Sequence, residues 1–133
     1  MPISPGTLEF ALDLFGGLRA TGRRMFGGLG LYAEGVMFAL IDDDRIFLKT
    51  DAALQAALRE EGSVAWIYTE ARGPKAGVPQ ETSYWSLPEA ACDDPEEACA
   101  WGRRAVAAAL AIRAAKPAAR RAPARGRGSP SRR

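Results

Sequence analysis

The stretch from residue 23 to residue 50 constrains the fold most, because it contains three short β-type runs separated by turn signals. The runs cover residues 23–32, 36–41 and 45–49, and the first has glycines in its middle. A Glu-Gly turn and a run of three aspartates separate them. Aromatic and β-branched residues bounded by Gly and Asp are typical of strands joined by tight turns. The stretch therefore predicts an antiparallel meander of three strands.

Local signals predict three helices and two further strands around this meander. An apolar stripe at helical spacing predicts a helix over residues 8–18, and cap residues and helix formers predict two more over 52–60 and 95–115. Residues 65–69 and 82–87 have the composition of strands. The resulting order, α-β-β-β-α-β-β-α, predicts an α+β two-layer domain, with a five-stranded antiparallel sheet covered by helices on one face.

The basic side chains are concentrated at the end of the chain. Seven of the 18 basic residues occur from residue 116 onward, whereas the last acidic residue is Glu97. Because the whole chain carries +2 and residues 116–133 carry +7, residues 1–115 carry −5. The final stretch also lacks aromatic and β-branched residues, so it cannot bury enough apolar area to order itself. The sequence predicts a folded domain over residues 1–116 and a disordered Arg-rich tail over residues 117–133.

Such a tail is suited to contact with the phosphate backbone of DNA or RNA. Contact of this kind has no sequence preference and weakens steeply with salt. The alternative is a terminus that only keeps the protein soluble or rests loosely on the acidic domain. The residues predicted to contact nucleic acid are Arg120, Arg121, Arg125, Arg127, Arg132 and Arg133.

The composition favours a cytoplasmic protein of one domain. The sequence has no apolar run close to the roughly 20 residues that a membrane span requires, and its first residues do not resemble a secretory signal. Histidine is absent, and Cys92 and Cys99 are not spaced as a zinc or redox motif. We expect both cysteines to pack as small apolar groups, with a sensor pair or a disulfide as the alternative. No cofactor, metal or catalytic residue is predicted.

The run over residues 36–41 is apolar at every position, so both faces of that strand need cover. Helices in a two-layer domain cover only one face of the sheet. We therefore expect a homodimer or a protein partner to cover the other. The predicted partner surface consists of Met37, Ala39 and Ile41, or else the alternate set Val36, Phe38 and Leu40, with Arg23 and Arg24 nearby.

Three blocks carry a family resemblance: RMFGGLGLY at residues 24–32, GVMFALI at residues 35–41 and SYWSLPE at residues 83–89. They closely resemble the TfoX/Sxy N-terminal domain, and the resemblance extends over roughly residues 7–115. It implies a small α+β domain with the same order of elements. Members of that family are linked to regulation of natural competence, as coactivators alongside a transcription factor of the cyclic-AMP receptor type. The family has no established catalytic residues.

Two functional hypotheses follow. The first is a non-enzymatic regulatory or adaptor domain that binds another protein, such as a transcription factor, with the tail contacting nucleic acid. The second is an enzyme or small-ligand binder that uses a pocket between helices and sheet, lined by Arg23, Lys49 or Tyr84. The sequence favours the first, because it offers no pair of acid and base residues from which a catalytic site could be built.

Overall fold

The computed structural model describes residues 4–25 and 28–115. In this part the chain forms three α-helices and six strands, with short 3₁₀ turns at Gly16–Leu18 and Glu89–Ala91. The elements, in chain order, are α1 (Thr7–Leu14), β1 (Thr21–Met25), β2 (Gly28–Ala33), β3 (Val36–Asp42), β4 (Arg45–Lys49), α2 (Ala52–Glu60), β5 (Ala65–Thr69), β6 (Pro79–Ser86) and α3 (Pro95–Ala115).

The strands form one antiparallel sheet in the order β1-β2-β3-β4-β6-β5. The predicted α+β class and antiparallel sheet are confirmed, but the predicted strand count and element order are wrong. The first predicted strand, over residues 23–32, is a hairpin of β1 and β2 in which Met25 lies opposite Gly28. Glycines inside a run of strand formers are compatible with a bulge or with a reversal of the chain. Because residues 21–25 pair with residues 28–32 as antiparallel strands, the chain reverses direction here and does not form a bulge.

Local signals define α2 and α3. The carboxylate of Asp51 accepts a hydrogen bond from the N–H of Leu54 at 2.9 Å, which caps α2. After α2, Gly62 has a φ of +86°, a left-handed conformation that glycine adopts without strain. At the start of α3, Asp94 accepts hydrogen bonds from the N–H groups of Glu96 and Glu97. Both α2 and α3 thus begin where the sequence supplies a side-chain cap.

The helices form a second layer against one face of the sheet. α3 lies across β3 and β4, and both α1 and α2 contact α3. Small residues allow this close approach: a Cβ on Gly102 would lie 2.7 Å from a methyl group of Leu18 and 3.2 Å from the ring of Phe15. The core between the layers includes Leu31, Leu48 and Leu58, each 0% exposed.

A β-bulge at Phe38 decides which side chains of β3 enter this core. Leu31 lies opposite Ala39 while Tyr32 lies opposite Met37, so Phe38 has no partner on β2. The Phe38 ring is fully buried and packs edge-on against Phe15, with ring centroids 5.3 Å apart. Burial of a side chain of this size contributes about 1.5–3 kcal/mol to folding. Because the bulge adds one residue to β3, the inward and outward positions shift by one after it.

Both cysteines are free thiols in the structure. Cys99 is buried on α3, and its sulfur lies 3.5 Å from the backbone oxygen of Leu14. Cys92 is half-buried beside Pro88. None of the helices in the described residues is long and apolar enough to cross a membrane.

Candidate functional site

The face of the sheet that points away from the helices is the candidate surface, and we call it the open face. Its position follows from the register, because side chains of directly paired residues lie on the same face. Leu40 pairs with Gly30 and Phe47, whereas their neighbours Ile41 and Leu48 belong to the core. The open face consists of Met25, Tyr32, Met37, Leu40, Phe47, Trp66, Tyr68 and Tyr84, together with Arg23, Arg45 and Lys49.

Gly30 lies at the centre of one half of this face. A Cβ at Gly30 would lie 2.8 Å from the sulfur of Met25, 2.8 Å from the sulfur of Met37 and 3.3 Å from the ring of Tyr32. These three side chains therefore converge over the glycine. Methionine side chains are flexible and polarizable, and they are over-used at surfaces that adapt to a partner.

The other half of the open face is built by β5, which bends over the sheet. The indole N–H of Trp66 donates to the carboxylate of Asp42 at 3.0 Å, although β4 and β6 separate β5 from β3 in the sheet. The Trp66 ring also lies 6.3 Å from Phe47 and 5.5 Å from Tyr68, between centroids. Phe47 is only 5% exposed as a result, while Trp66 and Tyr68 remain half-buried. The open face is therefore concave at this end.

Tyr84 is a phenol of the open face with a perturbed pKa. Burial raises the pKa of the Tyr84 phenol, and the Tyr32 phenol raises it further. Tyr32 belongs to β2 and Tyr84 to β6, so two strands lie between them.

Three cations lie against aromatic rings of the open face. The guanidinium of Arg23 lies 5.6 Å from the Tyr32 centroid, that of Arg45 lies 5.3 Å from Phe47, and the ammonium of Lys49 lies 5.1 Å from Tyr84. Contacts of this kind contribute about 0.5–1 kcal/mol each at exposed sites. The Lys49 ammonium also donates to the Ser83 hydroxyl at 2.7 Å. Positive charge and aromatic surface therefore lie side by side on the open face.

A cleft of about 440 Å³ lies between β5 and the ends of β1, β2 and β3. Its described lining is mainly apolar and includes Met25, Leu40, Trp66 and Tyr68. Asp42 is the only acidic or basic side chain among the described lining residues, and its carboxylate is engaged by Trp66. This cleft is suited to apolar contact rather than to proton transfer.

The sequence predicted a ligand pocket between helices and sheet, lined by Arg23, Lys49 or Tyr84, and two of these residues line separate hollows in the structure. Arg23 lines a hollow of about 390 Å³ beside α1, and Lys49 lines another of about 270 Å³ beside the end of α3. Among the described residues, Arg23 and Lys49 thus line two separate hollows. Another hollow, of about 540 Å³, lies where β4 begins and β6 ends, and its lining includes Arg45, Glu89 and Cys92. Burial raises the pKa of the Cys92 thiol, and Glu89 raises it further, so this thiol is not activated as a nucleophile.

The predicted partner surface is divided by the bulge. Met37 and Arg23 lie on the open face. Ala39 and Ile41 are 0% and 1% exposed and belong to the core under the helices, because the bulge at Phe38 turns them inward. Arg24 is exposed but pairs with Leu29, whose side chain faces the helices. Of the alternate set, only Leu40 faces outward, since Val36 and Phe38 belong to the core.

The sequence prediction omitted Trp66 and Tyr68 from this surface. They are spaced two residues apart, which places them on one face of β5, and that alternation could have indicated a second contributing strand. The basic residues Arg120, Arg121, Arg125, Arg127, Arg132 and Arg133 lie outside the described residues.

Comparison with known proteins adds one finding. Residues 13–109 match the family model of the TfoX N-terminal domain. The match begins within α1, includes every strand of the sheet and ends within α3. A search of curated proteins found no match.

Proposed function

Because this chain belongs to the TfoX N-terminal domain family, we propose that it is a non-enzymatic regulatory or adaptor domain that binds another protein through the open face. The observation that supports this most is the composition of that face. Tyr, Trp, Phe, Met and Arg are the residue types enriched in protein interfaces. Trp, Tyr and Arg also supply most of the side chains whose truncation weakens binding strongly.

The partner that we propose is a transcription factor of the cyclic-AMP receptor type. The resemblance to competence regulators supports this choice, because those proteins act as coactivators alongside such a factor. The cations Arg23 and Arg45 are exposed. Acidic side chains of the partner would be attracted to these two cations, and its apolar side chains would pack against the aromatic rings beneath them. The adaptor would thus recognise a surface that combines carboxylates with apolar side chains.

The Arg-rich tail supplies a second, sequence-independent contact in this proposal. Residues 116–133 carry +7, whereas residues 1–115 carry −5 and would be repelled by a phosphate backbone. Any affinity for DNA or RNA should therefore depend on the tail. Deleting residues 117–133 should abolish salt-sensitive retention on DNA while leaving partner binding by the open face in place.

The second candidate function is binding of a small ligand. The cleft of about 440 Å³ beside β5 is the observation in its favour. An apolar metabolite that co-purifies with the protein, and whose retention is reduced by a Trp66 substitution, would support this candidate over the adaptor role. Native mass spectrometry of the purified protein detects such a ligand directly.

Charge reversal on the open face tests the adaptor proposal. The double variant Arg23→Glu/Arg45→Glu should bind a purified transcription factor of the cyclic-AMP receptor type at least tenfold more weakly than wild type, as measured by fluorescence anisotropy. Arg104→Glu is the matched control, because Arg104 is also exposed and lies 5.3 Å from the centroid of Trp101, but on α3. Equal affinity for the double variant and wild type, or an equal loss for the control, would refute the use of the open face.

A further inference from the structure

The hollow of about 540 Å³ where β4 begins and β6 ends has no part in the proposed function, and we call it the β4–β6 hollow. Four segments of the chain build it. The helix α1 contributes Phe10, the turn after α2 contributes Glu61 and Ser63, β4 contributes Ile46, and the segment after β6 contributes Leu87. Its volume lies within the roughly 300–1,000 Å³ that small-molecule sites occupy. Segments that are distant in the chain thus meet around a space large enough for a small ligand.

Ser63 is the residue of this lining whose polar group lacks a partner. Only 7% of Ser63 is exposed, and in the part of the chain that the structure describes its buried hydroxyl oxygen has no hydrogen-bond partner. Most buried polar groups in native proteins are paired, because an unpaired one costs free energy. The other buried hydroxyl of the lining, that of Ser86, accepts from the N–H of Val64 at 3.0 Å. Ser63 therefore offers the hydroxyl that a ligand in the hollow would satisfy.

The charged side chains around the hollow favour a cation. Among the described lining residues, Asp44, Glu61 and Glu89 are acidic, whereas Arg45 is basic. The carboxylate of Asp44 already accepts hydrogen bonds from residues at the start of α1. Within residues 4–25 and 28–115, the exposed carboxylates of Glu61 and Glu89 have no hydrogen-bond or ion-pair partner. Two carboxylates are thus available to a positively charged ligand.

The thiol of Cys92, which also lines the hollow, indicates the same sign of potential. Burial raises the pKa of this thiol, and Glu89 and Asp93 raise it further. Arg45 lowers the pKa, but by less than either carboxylate raises it. Nearby negative charge disfavours the thiolate. The same charges that oppose an anion at Cys92 attract a cation to this end of the hollow.

The arrangement suits an organic cation better than a metal ion. No three acidic or thiol side chains of the described residues are grouped closely enough to hold a metal ion together. The lining also has an apolar part, which includes the buried Leu87 and the partly buried Ile46. The Phe10 ring is 50% exposed beside them. Aromatic rings attract ammonium groups, and apolar surface packs against methylene groups. A ligand with ammonium groups on an aliphatic body matches each of these features.

We propose that the β4–β6 hollow binds a small aliphatic diamine. Its ammonium groups pair with the carboxylates of Glu61 and Glu89, and one of them donates to the Ser63 hydroxyl. Its methylene groups pack against Leu87 and Phe10. An ammonium group has three donors and no acceptor, so a hydroxyl oxygen and carboxylates are the partners that it requires. The site does not use the aromatic rings of the open face, so it does not depend on the proposed adaptor function.

A nuclear magnetic resonance titration of the full-length protein with 1,5-diaminopentane, at low salt, tests the proposal. The backbone amide signals of residues that line the hollow, such as Ser63 and Glu89, should shift and reach saturation. The uncharged 1-pentanol and the anionic glutarate keep the five-carbon chain without the positive charges, so both should bind at least tenfold more weakly. Absence of a saturable shift at the hollow, or an equal response to 1-pentanol or glutarate, would overturn the proposal.

Variants separate binding in the hollow from diffuse attraction to an acidic domain. Glu61→Gln/Glu89→Gln should weaken binding of the diamine about tenfold, because each ion pair contributes about threefold. Glu60→Gln/Glu96→Gln is the matched control, since it removes the same charge from exposed side chains outside the described lining. Ser63→Ala should weaken binding about threefold without lowering the stability, because the hydroxyl has no partner to lose among the described residues. Equal affinity for the first double variant and its control, or for Ser63→Ala and wild type, would contradict the assignment.

Discussion

Replacing Gly28 with alanine tests how closely β2 approaches β3. An added Cβ would come within 3.0 Å of the carbonyl oxygen of Ile41, a separation that real Cβ atoms essentially never show. This oxygen belongs to the backbone, so it cannot move aside as the end of a side chain can. Carbon-to-oxygen contacts between neighbouring strands ordinarily lie at about 3.3–3.6 Å. The strands must therefore separate near the pair formed by Leu29 and Ile41.

The expected cost combines two effects. Overpacking of a well-packed site costs about 1–3 kcal/mol, and each weakened ladder hydrogen bond contributes about 0.5–1.5 kcal/mol. Alanine also reduces the conformational entropy of the unfolded chain, which offsets about 0.4–1 kcal/mol of the destabilisation. We expect Gly28→Ala to lower the free energy of unfolding by about 1–4 kcal/mol. The corresponding decrease in Tm is about 3–20 °C for a domain of this size.

Urea denaturation followed by tryptophan fluorescence measures the change in the free energy of unfolding, and calorimetry measures the Tm. Gly16→Ala is the matched control, because nothing lies within 4 Å of a Cβ at Gly16. The control should differ from wild type by no more than about 0.5 kcal/mol. If Gly28→Ala is as stable as Gly16→Ala, the close approach of β2 and β3 is not a constraint on the sequence, and this reasoning fails.

Two further changes test local interactions at the ends of α2 and α1. Asp51→Ala removes the acceptor for the N–H of Leu54 and should lower the free energy of unfolding by about 1 kcal/mol, as measured by urea denaturation. Asp51→Asn keeps an oxygen that can accept this hydrogen bond, so this variant should retain most of the wild-type stability. The pKa of Asp44 lies below its ordinary value of 3.8, because the Ser4 hydroxyl, the Ser4 N–H and the Thr7 hydroxyl donate to its carboxylate. A lowered carboxyl pKa stabilises the fold above the unfolded pKa, and this stabilisation is lost as pH falls through the folded pKa. The Tm advantage of wild type over Asp44→Asn should therefore be full at neutral pH and shrink below about pH 4; a difference that does not change with pH would contradict this assignment.

The elements that the sequence predicted with correct bounds are those with local signals at their ends. The helices Ala52–Glu60 and Pro95–Ala115 and the strand Ala65–Thr69 agree with the prediction residue for residue. Each has a cap, a helix former or a turn residue beside it in the chain. β6 begins three residues earlier than predicted, at Pro79, because its first half pairs with β5 and proline is tolerated as the first residue of a strand.

The features that the sequence did not predict depend on pairing between distant residues. Whether the glycines before residue 31 form a bulge or a hairpin is decided by the pairing of β1 with β2, which no local pattern encodes. The bulge at Phe38 likewise depends on the register between β2 and β3. Strict alternation along β3 therefore placed Ala39 and Ile41 on the wrong face, and with them part of the predicted partner surface.

The bulge also explains how an apolar strand can serve two surfaces at once. Before it, Val36 faces the helices and Met37 the open face. The bulge then turns both Phe38 and Ala39 inward, so two consecutive side chains of β3 are buried in the core, and one of them is the ring of Phe38. Leu40 returns to the open face, beneath the aromatic side chains from β4 and β5. A strand without the bulge would have to expose either Phe38 or Ala39, so the extra residue lets β3 supply the interior while Met37 stays on the open face.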